Sequence, residues 1–230
     1  MKIIIILIIL TISLFNLVKS QGYVTFQPYS SLKCSSDQQS GIGYSFLLNE
    51  CISSVGDIGL ENTNWKFTYD QTNNVVISQQ YQNNDCSDSP SNVFKNGLNE
   101  CSYSHPFFTM ENYTYAQNET TFSYVTIANE PLYNKGQVIF EYHSKTNSGC
   151  SSLNLLFSLF FTPNLIFKQG EAVTKNYYCA FLNLTPYEQY CNYNNWPESC
   201  TSYSIANSCT SKENNNLNLK VFCKTIFNQE

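Results

Sequence analysis

The chain carries only two histidines, His105 and His143, and one of them has an acid close by in sequence. If 137–143 is extended, side chains alternate between faces, and Gln137, Ile139, Glu141 and His143 fall on one face. A glutamate and a histidine so placed have the makings of an acid/base pair. They read more simply as two solvated residues on the open face of a strand, and that is the expectation for them. His105 precedes Pro106 and two phenylalanines and reads as part of a turn. Two facing carboxylates could hydrolyse a glycosidic bond. Glu111, Glu119 and Glu130 lie fairly close in sequence, but their spacing does not set any two of them face to face. The nucleophile elbow G-x-S-x-G, the zinc motif H-E-x-x-H, the phosphate-binding P-loop and the dinucleotide fingerprint are all missing from the sequence. No catalytic residue is assigned, the balance leans away from an enzyme, and no cofactor or metal is expected.

Ten cysteines carry the other candidate chemistry: Cys34, Cys51, Cys86, Cys101, Cys150, Cys179, Cys191, Cys200, Cys209 and Cys223. Zinc knuckles draw on cysteine pairs with two to four residues between them, and the nearest cysteines here are nine apart. An even number, none left over for a reactive thiol, reads as up to five disulfides formed in an oxidising compartment. The amino terminus agrees. Met1-Lys2, an apolar run from Ile3 to Leu10 that weakens toward Val18, and Val18-Lys19-Ser20 before Gln21 make the pattern of a cleaved secretory signal over residues 1–20. The run is short for a membrane span and holds Thr11, Ser13 and Asn16. No stable membrane insertion is expected once it is removed.

Leu48-Asn49-Glu50-Cys51 recurs letter for letter as Leu98-Asn99-Glu100-Cys101, and each copy follows a Cys-Ser pair, Cys34-Ser35 and Cys86-Ser87. A repeated unit is most simply a repeated local structure. Read as two locally closed loops, it predicts the bonds Cys34–Cys51 and Cys86–Cys101. Three asparagines sit in glycan-acceptor sequons: Asn112 (Asn-Tyr-Thr), Asn118 (Asn-Glu-Thr) and Asn183 (Asn-Leu-Thr). A glycan needs water around it, so a used site marks exposed surface.

The elements that must position these groups read as strands. Residues 23–26, 43–47, 65–69, 75–78, 122–127, 137–142 and 217–222 are rich in β-branched and aromatic residues. In 65–69, Trp-Lys-Phe-Thr-Tyr, aromatics alternate strictly with polar groups. The Asp-Gln-Thr-Asn-Asn turn cluster then makes 65–78 the best hairpin in the chain. Residues 153–161 are apolar enough to be a strand or a buried helix. Strands at this spacing predict an all-β fold, an antiparallel sandwich or barrel held by disulfides. Residues 21–230 read as one continuous domain, with a possible internal boundary near Cys101. With 16 Phe, 17 Tyr and 2 Trp among 230 residues, the chain can bury a sizeable core. It has no arginine; its 12 lysines face 17 acids for a net charge of −5. Loss of residues 1–20 removes Lys2 and Lys19 and makes that −7. Nucleic acid, which needs clustered cations against its phosphates, is not an expected partner.

The mature start Tyr-Val-Thr-Phe, the run Gly-Tyr-Ser-Phe-Leu-Leu-Asn-Glu-Cys and the succession Phe67-Thr68-Tyr69-Asp70, Asn74-Val75-Val76-Ile77, Asp85-Cys86-Ser87 resemble a family of secreted cysteine-rich domains. Social amoebae carry that family in many copies. The resemblance is best over 23–101. It implies export, one domain and disulfides, and brings no catalytic residue with it. Tyr113, Tyr115, Tyr187, Tyr190, Tyr193 and Trp196 sit among polar residues and are candidates for an exposed aromatic surface. The leading expectation is a secreted, non-catalytic binding or cell-surface domain whose partner is a carbohydrate or an extracellular protein. A carboxylate-based secreted hydrolase and a structural matrix or coat component stand as its rivals.

Overall fold

The computed structural model describes residues 22–53, 63–105, 107, 114–115, 122–145, 149–163, 165–169, 172–193, 199–211 and 217–224. Their strands are β1 (Tyr23–Tyr29), β2 (Ile42–Leu47), β3 (Cys51–Ser53), β4 (Asn64–Asp70), β5 (Val75–Tyr81), β6 (Asn92–Gly97), β7 (Cys101–Tyr103), β8 (Thr114–Tyr115), β9 (Phe122–Ala128), β10 (Val138–Ser144), β11 (Leu155–Phe161), β12 (Ile166–Gln169), β13 (Val173–Cys179), β14 (Pro186–Asn192), β15 (Ser199–Ser204), β16 (Asn207–Ser211) and β17 (Leu217–Cys223). Every pairing is antiparallel, and the fold is all-β, as the alternating runs predict. The expected hairpin is β4–β5. Its turn is set by Asp70, whose carboxylate accepts the amides of Thr72 (3.0 Å) and Asn73 (3.1 Å), and by Asn74 at φ 55°. Short polar side chains tolerate that left-handed backbone and hold such turns. The ambiguous 153–161 segment is a 3-10 turn over Ser152–Asn154 followed by strand β11. That strand is buried on both faces, so its apolar run has no alternation to read.

The Leu-Asn-Glu-Cys repeat is a repeat of structure. β1 and β2 form a hairpin, after which the Leu48 amide donates to Gly22 O (2.9 Å). Asn49 turns the chain at φ 68° and donates its amide to Phe67 O of β4 (2.8 Å). The next strand, β3, then pairs with β4 and not with the hairpin it has just left. The second copy does the same. β5 and β6 form a hairpin, Leu98 N donates to Asn74 O (3.0 Å), and Asn99 turns at φ 59° and donates to Val125 O of β9 (2.8 Å). β7 then pairs with β9. Since β4 also pairs with β5 and β9 with β1, each copy's hairpin is extended by the other copy's later strands. The two sheets, β3-β4-β5-β6 and β2-β1-β9-β7, pack face to face. Phe46 stacks on Phe67 at 4.0 Å, and Phe107 wedges between Phe26 (4.7 Å) and Trp65 (5.2 Å). The Trp65 indole N–H donates to Phe107 O (2.9 Å), so the wedge leaves no buried donor orphaned.

This exchange overturns the expected disulfides. The bonds are Cys34–Cys101 and Cys51–Cys86. Cys34 and Cys86 lie in equivalent hairpin loops, both at positive φ (45° and 54°), while Cys51 and Cys101 open the exchanged strands. A strand that crosses to the other sheet carries its cysteine to the other copy's loop. Equivalent residues therefore bond reciprocally, as across a two-fold axis.

The second half of the chain repeats this topology. β10–β11 and β14–β15 are the hairpins, β12 and β16 the exchanged strands, and β13 and β17 the strands they join. β13 pairs with β14 and β17 with β10, as β4 with β5 and β9 with β1. Cys150–Cys209 occupies the place of Cys34–Cys101. Cys150-Ser151 and Cys34-Ser35 each lead into a 3-10 turn, closed by Asn154 N to Ser151 O (3.1 Å) and Gln38 N to Ser35 O (2.9 Å). Cys179–Cys223 and Cys191–Cys200 complete the five bonds. The core of this half gathers Phe140, Phe161, Phe167 and Tyr177. The halves fuse where β2 pairs with β11, giving one eight-stranded sheet, β16-β17-β10-β11-β2-β1-β9-β7. At that seam Gly43 faces Phe160, and any Cβ on Gly43 would lie 1.8 Å from the ring.

Peptide mapping without reduction should recover Cys34–Cys101 and Cys51–Cys86 and neither local pair. Replacing both Cys34 and Cys101 by Ala should cost roughly 4 kcal/mol in a denaturant titration, because the bond closes a long loop.

Candidate functional site

Six polar side chains stand in one row across the outer face of the eight-stranded sheet. Successive register partners run Thr126 on β9, Thr25 on β1, Ser45 on β2, Ser158 on β11, Glu141 on β10 and Lys220 on β17. The row crosses the seam, where small hydroxyl residues let something lie close above the sheet. What covers it is the segment 129–137. The Gln27 amide donates to Leu132 O (2.6 Å), Asn134 Nδ2 donates to Gln27 Oε1 (3.2 Å), and Asn134 N donates to Gln137 Oε1 (2.7 Å). The Tyr133 ring packs edge-on to Phe160 (5.6 Å) and Phe222 (6.2 Å).

Glu141 and His143 do share a face of β10, as alternation requires, but they are not in solvent. His143 is 1% exposed and Glu141 8%. The expectation of an open strand face is corrected because a strap of chain folds over it. Under the strap, Glu141 Oε1 accepts the Tyr133 hydroxyl (3.2 Å), while Oε2 lies 3.3 Å from His143 Nε2 and 3.6 Å from Lys220 Nζ. His143 Nδ1 meets Ser151 O at 3.0 Å. Burial alone would push the Glu141 carboxyl up. The hydrogen bond to His143, the Lys220 charge, the His143 charge and the Tyr133 hydroxyl outweigh it and hold the group below its ordinary range. The phenols answer in the opposite sense. Tyr23, whose hydroxyl donates to Leu155 O (2.9 Å), is pushed up to about 12 by burial and then by the Glu141 charge. Tyr133 is also raised well above the ordinary phenol value for the same two reasons, burial first.

This constellation has acid/base components, yet its lone pairs and protons are spent on one another. The neighbours of Glu141 are an imidazole, an ammonium and a phenol, not the second acid that glycoside hydrolysis uses. It fastens the strap to the seam. Of the other acids considered, Glu130 is exposed on that strap, and Glu111 and Glu119 lie outside the described residues. His105 lies against Phe94, ring centroids 3.8 Å apart, and burial lowers its pKa. No cluster of three or more metal-ligating side chains occurs among the described residues, and no helix there is long and apolar enough to cross a membrane.

The open surface lies on the five-stranded sheet, β15-β14-β13-β12-β8. On its outer face Tyr178 stacks on its register partner Tyr187 (5.5 Å, 14°). Beside them Asn176 faces Gln189 across the same two strands. Gly136, Pro163, Asn176, Tyr178, Cys179 and Gln189 line a cleft of about 500 Å³, in which Asn176 Oδ1 is buried without a hydrogen-bond partner among the described residues. Of the tyrosines singled out from sequence, Tyr187 and Tyr190 are half-buried and Tyr193 is exposed. The side chains of Tyr113, Tyr115 and Trp196 lie outside the described residues, as do Asn112 and Asn118. Asn183 is exposed in the β13–β14 turn. Sequence reasoning missed Tyr178, Asn176 and Gln189; the signal available was their shared alternation on two adjacent strands. The β15 edge is uncovered: all six residues are exposed, none is charged, and among the described residues nothing pairs with its outer side.

The family model for counting factor-associated protein A/B/C matches residues 1–223. The chain belongs to this counting factor-associated family. The match spans both halves of the fold and the apolar amino-terminal segment, in line with the cysteine-rich family of social amoebae that its motifs resemble. No curated protein and no solved structure matches the chain.

Glu141 binds fewer protons folded than unfolded, so its contribution is present above about pH 4.5 and fades as pH falls further. Tyr23 binds its proton more tightly folded, so its contribution is full below about pH 10 and is lost as pH rises toward 12. Denaturant titrations across pH should show both arms. Glu141→Ala, which leaves the buried His143 and Tyr133 groups without their acceptor, should cost about 1–3 kcal/mol at neutral pH, and Tyr23→Phe should flatten the alkaline arm.

Proposed function

We propose that this member of the counting factor-associated family is exported and works outside the cell as a disulfide-stapled, non-catalytic binding protein, engaging another protein through the β15 side of its five-stranded sheet. The observation that carries this reading is the bare, charge-free β15 edge. Natural sheets protect such edges with charge, proline or a covering segment unless a partner uses them. An added strand from a partner would satisfy the open backbone groups, and Tyr203, 57% exposed on β15, would serve as a side-chain anchor. The family description, which speaks of association with a factor, and the ten paired cysteines support the same reading. The buried Glu141–His143 pair, fully engaged under its strap, speaks against the hydrolase rival in its strongest residues.

A carbohydrate remains the second reading because of one observation: the cleft beside Tyr178 sets an aromatic ring next to two primary amides, one with an unpartnered oxygen. Rings and amides together suit a sugar's apolar face and hydroxyls.

Secreted protein should be recovered from culture medium beginning at Gln21. In affinity capture from that medium, Tyr203→Lys should weaken partner retention by about tenfold or more and leave the melting temperature unchanged. On a glycan array, any signal should depend on Tyr178 and Gln189. If Tyr203→Lys changes nothing and Tyr178→Ala abolishes binding, the sugar reading replaces the protein one. Self-association through β15 would instead favour a matrix component.

A further inference from the structure

The β13–β14 turn holds Phe181 and Leu182 almost wholly in water, at 94% and 95% exposure. Two such side chains together at a tight turn are unusual, because exposed apolar groups come without a compensating contact. The tip is closed by its own backbone: Ala180 N donates to Thr185 O (2.9 Å) and Leu184 N to Ala180 O (2.9 Å). Leu184, the last residue of the loop, sits at φ 52°, in the left-handed region. Between them Asn183 accepts the Thr185 amide on Oδ1 (3.2 Å), an Asx turn that leaves its Nδ2 without a hydrogen-bond partner among the described residues.

Phe181, Asn183 and Thr185 are thus an aromatic, an acceptor amide and a hydroxyl at alternate positions around one tight turn. We propose that Asn183 carries an N-linked glycan whose first N-acetylhexosamine packs on the Phe181 ring, and that this sugar is what covers the apolar tip. Attachment requires a lipid-pyrophosphate-linked oligosaccharide in the secretory pathway. Asn183 Nδ2 bonds to the anomeric carbon, the bond from that carbon to the pyrophosphate oxygen breaks, the lipid pyrophosphate leaves with the electron pair, and Nδ2 loses one proton. The Asx turn holds Oδ1 on the Thr185 amide (3.2 Å), so Nδ2 is the atom of the side-chain amide left for attachment. The hexosamine's C–H face meets the ring and its acetamido and hydroxyl groups stay in water, so the aromatic body is covered without burying a polar group. Asn112 and Asn118 share the sequon, but the residues two before them, Met110 and Ala116, are not aromatic. Of the three sequons, only that of Asn183 has an aromatic residue two positions before its asparagine.

The proposal rests on the export reading, and its test separates the two. Full-length protein is secreted from a eukaryotic host, and the peptide spanning 181–185 is analysed by mass spectrometry. It should carry a hexosamine-based glycan. An endoglycosidase that leaves the first sugar should preserve thermal stability. Complete removal, or Asn183→Gln, should shift the folding equilibrium by about fivefold toward unfolding, the scale of one aromatic contact. In Phe181→Ala, which is safe to fold because the side chain is in solvent, the loss of the sugar should have no such effect, and Phe181→Tyr should restore it. Secreted protein with a bare Asn183 overturns the proposal and leaves export standing. So does a sugar whose removal costs the same with and without Phe181. Absence from the medium overturns export, and the proposal with it.

Discussion

The fold depends on a backbone hydrogen bond made twice. At Asn49 and again at Asn99, a left-handed turn lets the amide reach a carbonyl on a strand of the opposite sheet, Phe67 and Val125. That contact ends a hairpin and sends the next strand across the sandwich. Everything downstream follows from the crossing. The sheets become mutually dependent because each needs strands from the other copy. The cysteines that open the crossing strands meet the opposite loops. A chain with long, non-local pairings of this kind must close costly loops before its contacts repay them, and the reciprocal bonds Cys34–Cys101 and Cys51–Cys86 hold the closure.

Strands were legible in the sequence where alternation is strong, and β6, β13 and β14, with few buried positions each, were not. Alternation in 65–69 and 122–127 marks β4 and β9 because one side of each meets the core. The repeat was legible as letters, and the inference from it to local loops failed for a topological reason: letters report that two units are alike, and say nothing about whether each closes on itself. The second half shows the limit from the other side. It repeats the strand order without Leu-Asn-Glu-Cys, and its one written trace is Cys150-Ser151, which matches Cys34-Ser35 in leading a 3-10 turn. Elsewhere the pairings of the second half rest on hydrophobic pattern, which many sequences satisfy, and so the duplication is visible only in register.

The same gap explains the buried acid. Alternation correctly placed Glu141 and His143 together, because parity is local. Whether that face is wet is decided by 129–137, a segment with no strand pattern. Only the hydroxyl row Thr25–Ser45–Ser158 could have hinted that the seam is shallow enough to be covered. Once covered, a carboxylate there must find cations and donors or neutralise. It finds Lys220, His143 and Tyr133, and so residues that resemble a reaction centre in composition become the fastening of a strap.

That leaves the surface to be divided by elimination. The inner faces of the sheets are given to aromatic cores, and the outer face of the long sheet is given, at its seam, to the strap. Among the described residues the five-stranded sheet keeps a half-buried outer face and an unpaired edge, and its β13–β14 turn extends two strongly exposed apolar side chains. A chain with 13% charged residues and no arginine cannot rely on charge to keep an open edge and an apolar tip from self-pairing. Asparagine, present in abundance and almost free of charge cost, offers another route: it hydrates turns directly and, where a sequon allows, can carry a bulky polar group. On this view the scarcity of charge and the richness in asparagine are two sides of one solution to exposure.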